Sequence, residues 1–269
     1  MEKVYNFSNE NLAAFKELYD FKNARVLSVG GSGDQYFTAI LNGAKEVTLF
    51  DSNPDFWPYF IVKFCALQNL SYDDFCELFI RKGASFSEMF SVVESYIPSK
   101  EKDKVASEKE SIGFYYDKEE IKTLLEVFET KPYLVPESYK ILQQNLRKIP
   151  LPDVYFVDIQ SLRGKIGDRS YDIMLTSNIY DWVVGDLVLS GDNDIDYLNM
   201  LAEFNCPTIQ AQYQIYMGSI VPSAAFSERC IVTPVKSCWK PVKYDFISRR
   251  VLIESCESTY YDYVYTYKK

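Results

Sequence analysis

The feature that most constrains the fold is a run of four elements between residues 25 and 51. Residues 25–30 (RVLSVG) form an apolar stretch typical of a short buried strand, and the glycine-rich turn Gly30-Gly-Ser-Gly-Asp34 follows at once. Apolar residues then recur at helical spacing, and residues 46–50 (EVTLF) predict a second strand that ends at Asp51. This succession predicts the parallel crossover of an α/β sheet.

Further strand patterns bring the predicted sheet to about seven strands. Segments rich in β-branched and aromatic residues occur at five later places: residues 154–158, 171–176, 208–213, 250–254 and 260–267. The last two are predicted to pair antiparallel with each other. We therefore expect an α/β fold with a mostly parallel sheet and a C-terminal antiparallel pair, in a single domain over residues 1–269.

Roughly a hundred residues separate the second predicted strand from the third. Connections in α/β units are normally far shorter, so residues 54–150 are predicted to form a helical subdomain inserted between strands two and three. Within it, residues 99–111 are almost entirely polar and predict a solvated loop. Asp117 and Glu120 predict the start of a further helix.

The composition excludes several kinds of active site. The chain of 269 residues has no histidine, which removes Ser-His and Cys-His nucleophile pairs and every metal site that needs histidine. The six cysteines form no C-x-x-C pair, so we expect reduced, mostly buried thiols and no metal centre. A general base must therefore be an aspartate, glutamate, tyrosine or lysine side chain.

Charge and hydropathy bear on the partners and the location of the protein. The 29 basic and 38 acidic side chains give a formal charge of −9, which argues against non-specific binding to nucleic acid. The longest apolar stretch, residues 57–67, is interrupted by Lys63 and is shorter than the roughly 20 residues that span a bilayer. The first residues lack a signal-peptide pattern. We expect a cytoplasmic protein with no transmembrane segment and no nucleic-acid partner.

The glycine turn has the surroundings of a nucleoside-binding site. A helix N-terminus presents free backbone amides, and glycines let a ligand approach the backbone closely. An acidic residue about 20 positions further on accepts hydrogen bonds from both ribose hydroxyls in such folds, and Asp51 follows Gly33 at about that spacing. The turn and Asp51 together predict that a nucleoside binds here.

NAD and S-adenosylmethionine are the two common ligands of a turn like this one. The dinucleotide fingerprint needs a third glycine, and Tyr36 stands at its place. Asp34 would put an anion where a pyrophosphate lies, whereas S-adenosylmethionine has no phosphate and carries a cationic sulfur and an ammonium group. These residues favour S-adenosylmethionine, and an NAD-dependent oxidoreductase is the less favoured alternative.

The predicted fourth strand ends in polar residues. Ligands of open α/β sheets lie outside the carboxyl ends of the strands. Ser177 and Asn178 would stand at that end, followed by Tyr180 and Asp181. We expect Asn178, Tyr180 and Asp181 to be the catalytic candidates, with Tyr180 or Asp181 as the general base if the acceptor needs one.

Three stretches resemble class I S-adenosylmethionine-dependent transferases: VLSVGGSGD at 26–34, FDSNP at 50–54 and YDIMLTSNIYDW at 171–182. Four stretches resemble, more narrowly, the S-adenosylmethionine:diacylglycerol 3-amino-3-carboxypropyl transferases of betaine-lipid synthesis and their relatives: residues 33–34, 51–54, 63–79 and 133–139. The resemblance covers most of residues 20–185. It implies a Rossmann-like class I methyltransferase fold, with S-adenosylmethionine bound over the glycine turn of a seven-stranded sheet.

The resemblance also implies roles for individual residues. The methionine end of the cofactor would face the turn residues Gly30, Gly31, Ser32, Gly33 and Asp34. The ribose would lie at Asp51, with Ser52 and Asn53 beside it, and Asp158 and Ile159 would flank the adenine. Ser177 and Asn178 would line the floor of the site near the sulfur.

The reaction stays open at this level. Attack on the methyl group of the cofactor transfers a methyl group, and attack on its carbon chain transfers an aminocarboxypropyl group. The acceptor would be a small molecule or a lipid. An alternative of a different class is a catalytically inactive protein that binds S-adenosylmethionine as a regulator or a partner subunit.

Overall fold

The computed structural model describes residues 7–8, 10–81, 85–116, 128–180, 183, 193–214, 224–236, 242–245, 250–253 and 261–269. The strands are β1 (Arg25–Val29), β2 (Glu46–Phe50), β3 (Val154–Tyr155), β4 (Ile173–Leu175), β5 (Thr208–Gln214), β6 (Cys230–Lys236), β7 (Val242–Asp245), β8 (Arg250–Ile253) and β9 (Tyr261–Lys268). Seven of them form one sheet in the order β3-β2-β1-β4-β5-β9-β6. The predicted α/β, Rossmann-like fold with a seven-stranded, mostly parallel sheet is confirmed.

The strand order creates a crevice at the carboxyl ends of the parallel strands. Strands β1 to β5 pair in parallel, and the chain moves outward from β1 through β2 to β3 before it returns to β4 on the other side of β1. Where the order reverses in this way, open α/β sheets bind ligands outside the carboxyl ends of the strands. The glycine turn follows β1 and Ser177 follows β4, so both lie at this crevice.

The C-terminal strand β9 lies between β5 and β6 and runs antiparallel to both. An antiparallel C-terminal pair was predicted, but the predicted partner at 250–254 is wrong, because β8 pairs with β7 in a separate two-stranded sheet. The partner at the sheet edge, β6, contains Pro234. Proline lacks a backbone N–H and weakens a strand pattern in sequence, yet an edge strand tolerates it.

Helices cover both faces of the sheet. They are α1 (Phe15–Leu18), α2 (Asp34–Leu41), α3 (Phe56–Asn69), α4 (Tyr72–Cys76), α5 (Phe86–Val93), α6 (Ser99–Tyr116), α7 (Pro136–Leu146), α8 (Ile159–Ile166), α9 (Asn193–Ala202) and α10 (Ala224–Arg229). Val26 and Leu27 are neighbours on β1 but belong to different hydrophobic clusters. Successive side chains of a strand point to opposite faces, so each face of the sheet has a core of its own.

The helices between β2 and β3 share a core with the sheet. Helices α3 to α7 lie in this connection, as the predicted insertion at 54–150 requires. Phe60 of α3, Phe75 of α4 and Leu142 of α7 belong to the same hydrophobic cluster as Val26 of β1. Helices α3 and α7 therefore pack on one face of the sheet, and the bounds of an inserted subdomain stay a prediction.

The polar stretch at residues 99–111 is a helix, so the predicted loop is wrong. These residues belong to α6, and of the side chains described there Val105 alone is buried. Lysine, glutamate and alanine are strong helix formers, but a helix with so narrow an apolar face shows little periodicity in sequence. The helix predicted to begin at Asp117 and Glu120 lies outside the described residues.

Four cysteines lie in the described part of the chain, and none of them is in a disulfide bond there: Cys65, Cys76, Cys206 and Cys230. The first three are buried, as the sequence predicted, and burial raises the pKa of Cys65 to about 12. Cys238 and Cys256 lie outside the described residues. Among the helices that the structure describes, none is both long enough and apolar enough to cross a membrane.

Candidate cofactor site

The glycine turn is closely packed at Gly30 and open at Gly31. The Gly30 amide donates to the Phe50 carbonyl oxygen at 2.8 Å, and the Gly33 amide donates to the Gly30 carbonyl oxygen at 2.8 Å. A Cβ atom on Gly30 would lie 2.4 Å from the ring of Phe56, so that ring fills the space beside Gly30. Gly31 has a φ of +46°, and a Cβ atom there would meet no described atom within 4 Å. Space for a ligand therefore lies at Gly31.

Asp51 joins the end of β2 to the glycine turn. Its Oδ2 atom accepts a hydrogen bond from the Gly31 amide at 2.8 Å, and its Oδ1 atom accepts one from the Asn53 amide at 2.9 Å. Asn53 is buried and its Oδ1 atom accepts from the Asp55 amide at 2.9 Å, whereas Ser52 is exposed. The structure therefore brings together the turn and the acidic residue that the spacing paired.

Asp34 is turned into the protein. Its side chain is fully buried, and Oδ1 accepts hydrogen bonds from Lys63 Nζ and from the Tyr133 hydroxyl, each at 2.5 Å. The Ser8 amide donates to Oδ2 at 2.6 Å. Burial alone would raise the pKa of Asp34, but Lys63, Lys131 and these hydrogen bonds outweigh it and lower the pKa. The carboxylate of Asp34 thus forms hydrogen bonds and an ion pair inside the protein. These contacts give no support to the prediction that Asp34 faces the methionine end of the cofactor.

Lys63 is a buried cation that sequence reasoning did not select. Besides Asp34, its Nζ atom donates to the Ser32 carbonyl oxygen at 3.2 Å and lies 4.1 Å from the ring centroid of Phe7. Burial lowers the pKa of Lys63, and the carboxylate of Asp34 opposes that change. The signal in the sequence was a single charge inside the apolar stretch 57–67. A lone buried charge needs a partner, so this position predicts an ion pair.

Residues 7, 8, 10 and 11, here called the N-terminal segment, cross the carboxyl ends of the strands. The Asn11 amide donates to the Tyr213 hydroxyl oxygen on β5 at 2.8 Å. Lys131 Nζ donates to the Glu10 carbonyl oxygen at 2.9 Å. These contacts tie the segment to the sheet and to the chain before α7.

Glu10 places a buried carboxyl group at the crevice. Its Oε2 atom accepts from Gln35 Nε2 at 2.8 Å, and its Oε1 atom accepts from the Ser177 hydroxyl. Burial raises the pKa of Glu10 to about 7; the bonds from Ser177 and Gln35 and the charge of Lys131 oppose this, and Asp262 adds to it. A carboxyl group with such a pKa accepts and releases a proton near neutral pH.

The end of β4 holds Ser177 in a fixed orientation. Its φ is +59°, which is uncommon for a residue other than glycine. Its amide donates to Gln210 Oε1 at 2.8 Å, and its carbonyl oxygen accepts from the Tyr213 amide at 2.7 Å. Its hydroxyl also lies 3.3 Å from Asn178 Oδ1, and both residues are half-buried. Both predicted floor residues therefore stand at the crevice.

The other predicted catalytic residues receive less support. The Tyr180 hydroxyl donates to Asp194 Oδ1 on α9, and its ring packs edge-on against Tyr197 and Phe226 with centroids 5.2 and 4.8 Å apart. These contacts join Tyr180 to the hydrophobic cluster that contains α9 and α10. Because the Tyr180 hydroxyl is used as a hydrogen-bond donor to Asp194, these contacts do not support its predicted role as a general base. Asp181 lies outside the described residues.

The end of β3 carries the residues that were predicted to flank adenine. Asp158 is exposed, and its Oδ1 atom accepts from the Ser161 amide at 2.6 Å, so it caps the N-terminus of α8. Ile159 is buried. Phe156 is 41% exposed, and its ring centroid lies 6.1 Å from that of Phe56, which packs on the glycine turn. An apolar surface thus continues from the turn toward the end of β3.

Comparisons with known proteins do not assign this site. No family model matches the chain, and no curated protein matches it either. Within the described residues, no group of three or more cysteine, aspartate or glutamate side chains is arranged to hold a metal ion. The functional interpretation therefore depends on the geometry of the glycine turn, Asp51 and the pair formed by Ser177 and Glu10.

Proposed function

We propose that the chain binds S-adenosylmethionine over the glycine turn and transfers a methyl or 3-amino-3-carboxypropyl group to a small-molecule or lipid acceptor. The observation that carries the proposal is the contact between Asp51 Oδ2 and the Gly31 amide at 2.8 Å. It puts an acidic side chain beside a glycine turn at the place where the strand order reverses, which is where open α/β folds bind nucleosides.

The residues present fit a nucleoside. No atom of the described residues lies within 4 Å of a Cβ atom placed on Gly31, so a ligand has room to approach the backbone there. The carboxylate of Asp51 is a hydrogen-bond acceptor beside Gly31, and ribose hydroxyls are donors that such a group can bind. The apolar surface at Phe156 offers a face for a purine ring.

The choice of S-adenosylmethionine over a dinucleotide now depends chiefly on Tyr36. The dinucleotide fold keeps a glycine there so that helix and strand pack closely. In this chain Tyr36 is 1% exposed, and its ring packs edge-on against Phe60 with centroids 5.1 Å apart. Asp34 contributes less to this choice than the sequence predicted, because Lys63 neutralises it inside the protein. The resemblance to class I transferases points the same way.

The protein's part in the proposed reaction is placement. When bound, the sulfonium would supply the activated carbon. Gly31 and Asp51 would fix the nucleoside, and Ser177 and Asn178 would lie at the end of β4 where the reacting carbon meets the acceptor. Which carbon faces the acceptor decides between methyl and aminocarboxypropyl transfer, and both stay within the proposal.

Titration calorimetry with S-adenosylmethionine and with NAD tests the choice of cofactor. We expect S-adenosylmethionine to bind and Asp51→Asn to weaken binding by about 1–3 kcal/mol, roughly 5- to 150-fold in Kd, because a ribose hydroxyl loses its acceptor. Asp153→Asn is the matched control, since its side chain is 70% exposed and lies 3.4 Å from Arg169 Nη1. Equal affinity of both variants, or binding of NAD alone, would contradict the proposal.

Mass spectrometry of small molecules then identifies the reaction. The protein is incubated with S-adenosylmethionine and a cell extract, and the Asp51→Asn variant is the control. Methylthioadenosine would identify aminocarboxypropyl transfer, and S-adenosylhomocysteine would identify methyl transfer. Binding without either product would favour the inactive regulatory or partner protein.

A further inference from the structure

A half-buried serine and a buried glutamate are hydrogen-bonded to each other at the crevice. The Ser177 hydroxyl donates to Glu10 Oε1, and Glu10 itself is 2% exposed. The two residues are 167 positions apart and come from the N-terminal segment and the end of β4. Ser177 is half-buried and Glu10 is buried, so Ser177 is the residue of the pair that is nearer to a molecule bound at the crevice.

The backbone fixes the direction of the Ser177 hydroxyl. Hydrogen bonds from β5 hold both its amide and its carbonyl group, through Gln210 and Tyr213 respectively. A φ of +59° in a serine is a costly conformation, and such conformations persist where the surrounding structure holds them, often at functional sites. The strained backbone aims the hydroxyl at Glu10.

Glu10 is held on its other side as well. Gln35 Nε2 donates to Oε2 at 2.8 Å, and the Gln35 side-chain oxygen in turn accepts from the Ser28 hydroxyl at 3.0 Å. The charged and titratable groups that face Glu10 from the elements around it are Lys131, Asp262, Tyr213 and Tyr19. Lys131 favours the ionised form of Glu10, and Asp262 opposes it.

We propose that Ser177 and Glu10 form a proton relay for an acceptor that reacts through an N–H or O–H group. The inference rests on the proposed function for the position of the cofactor. As the acceptor nitrogen or oxygen bonds to the transferred carbon, the bond from that carbon to sulfur breaks and sulfur leaves as a neutral thioether. The acceptor's proton passes to Ser177 Oγ, and the Ser177 hydroxyl proton passes to Glu10 Oε1.

The acid–base behaviour of Glu10 suits this role. Burial raises the pKa of Glu10 to about 7, so its ionised form is available as a proton acceptor at neutral pH. A base with a pKa near the working pH is the most effective general base. Ser177 would touch the acceptor, and Glu10 would act through Ser177.

The relay is testable without knowing the acceptor, by labelling with a fluorophosphonate. Ser177 Oγ bonds to phosphorus, fluoride leaves, and the hydroxyl proton goes to Glu10. We expect mass spectrometry to find the label on Ser177, with a rate that rises with pH through about 7. Glu10→Gln should slow labelling about 100-fold and remove that pH dependence, because it keeps the shape of the side chain but takes no proton. Ser177→Ala should abolish the label.

A second measurement, made on the unmodified protein, keeps the proposal testable if the variants fold poorly. Infrared difference spectra of the unmodified protein should show a buried protonated carboxyl group that ionises near pH 7, and Ser177→Ala should retain this signal because Glu10 is intact. No label on Ser177, or a label unaffected by Glu10→Gln in a folded variant, would overturn the relay. Labelling that S-adenosylmethionine does not slow would leave the relay standing and contradict the proposed position of the cofactor.

Discussion

The buried ion pair between Lys63 and Asp34 gives the sharpest prediction for stability. Both side chains are 0% exposed, and Lys63 Nζ lies 2.5 Å from Asp34 Oδ1. Lys63→Met keeps most of the apolar stem but leaves the carboxylate in the core without its cation. Removing one partner of a buried pair costs about 3–5 kcal/mol, so we expect a loss of that size at pH 7.

The pH dependence of this variant should have the opposite sign to that of the natural pair. The pKa of Asp34 is lowered in the folded protein, so the pair's contribution is present above the usual value of 3.8 and is lost as the pH falls below it. Burial is the largest single effect on Asp34, so without Lys63 we expect it to outweigh Lys131 and the Tyr133 hydrogen bond and to raise the folded pKa of Asp34 above that value. The variant should therefore regain stability relative to the wild-type protein as the pH is lowered from 7 to 5.

Urea unfolding followed by circular dichroism measures both effects. The double variant Lys63→Met with Asp34→Asn removes both charges and should recover most of the loss, because replacing a buried pair with uncharged groups is often close to neutral. Lys140→Met on the exposed face of α7 is the matched control and should change stability by less than about 0.5 kcal/mol. A loss below about 1 kcal/mol for Lys63→Met, or no recovery in the double variant, would refute the reasoning.

Two further predictions concern the turn and the N-terminal segment. Gly30→Ala should lower the free energy of unfolding in urea by about 1–3 kcal/mol, because the added Cβ atom would lie 2.4 Å from the ring of Phe56. Gly164→Ala is the control: its added Cβ atom would meet no described atom within 4 Å, so it should stabilise α8 by about 0.5–1 kcal/mol. The pKa of Glu10 rises from 4.5 to about 7 on folding, so the folded protein binds this proton more tightly than the unfolded chain. Wild-type stability should therefore fall by about 3 kcal/mol as the pH rises from 4.5 to 7, and Glu10→Gln should remove that fall. The same change of stability with pH in the wild type and in Glu10→Gln would contradict this prediction.

The half of the sheet that contains the glycine turn was open to prediction because its determinants are local in sequence. An apolar strand, a glycine turn and a second strand within 27 residues leave little freedom in parallel pairing, and the contact from Asp51 to Gly31 follows from that geometry. The polar residues after β4 were predicted to lie near the glycine turn, because β1 and β4 run parallel and their carboxyl ends therefore lie on the same side of the sheet. Ser177 and Asn178 stand there.

The buried polar groups were not predicted, because they depend on contacts between distant parts of the chain. Ser8 followed by Leu12, Phe15 and Leu18 has the spacing of a capped amphipathic helix, and such a helix would include Glu10. In the structure the Ser8 hydroxyl accepts from the Glu10 amide at 3.1 Å, and the first α-helix begins only at Phe15. Sequence periodicity identifies elements, but not which charged groups meet when those elements pack.

Strand partners were unpredictable for a similar reason. The tyrosine-rich stretch at 261–268 reads as a strand, yet it could pair with any exposed strand edge. In the structure it lies between β5 and β6, where Asp262 is buried and accepts a hydrogen bond from Tyr213 at 2.8 Å. The pattern of alternating residues does not show which of the possible partners a strand selects.

The most direct test of the account is a crystal structure of the protein with S-adenosylmethionine bound. We predict the adenosine at the carboxyl ends of β1 and β2, with ribose hydroxyls about 2.5–3.0 Å from the carboxylate of Asp51 and the sulfur on the side of Ser177. A nucleoside bound away from the glycine turn, or density that shows Phe7 and Phe56 filling the space at Gly31 in the presence of excess ligand, would contradict it.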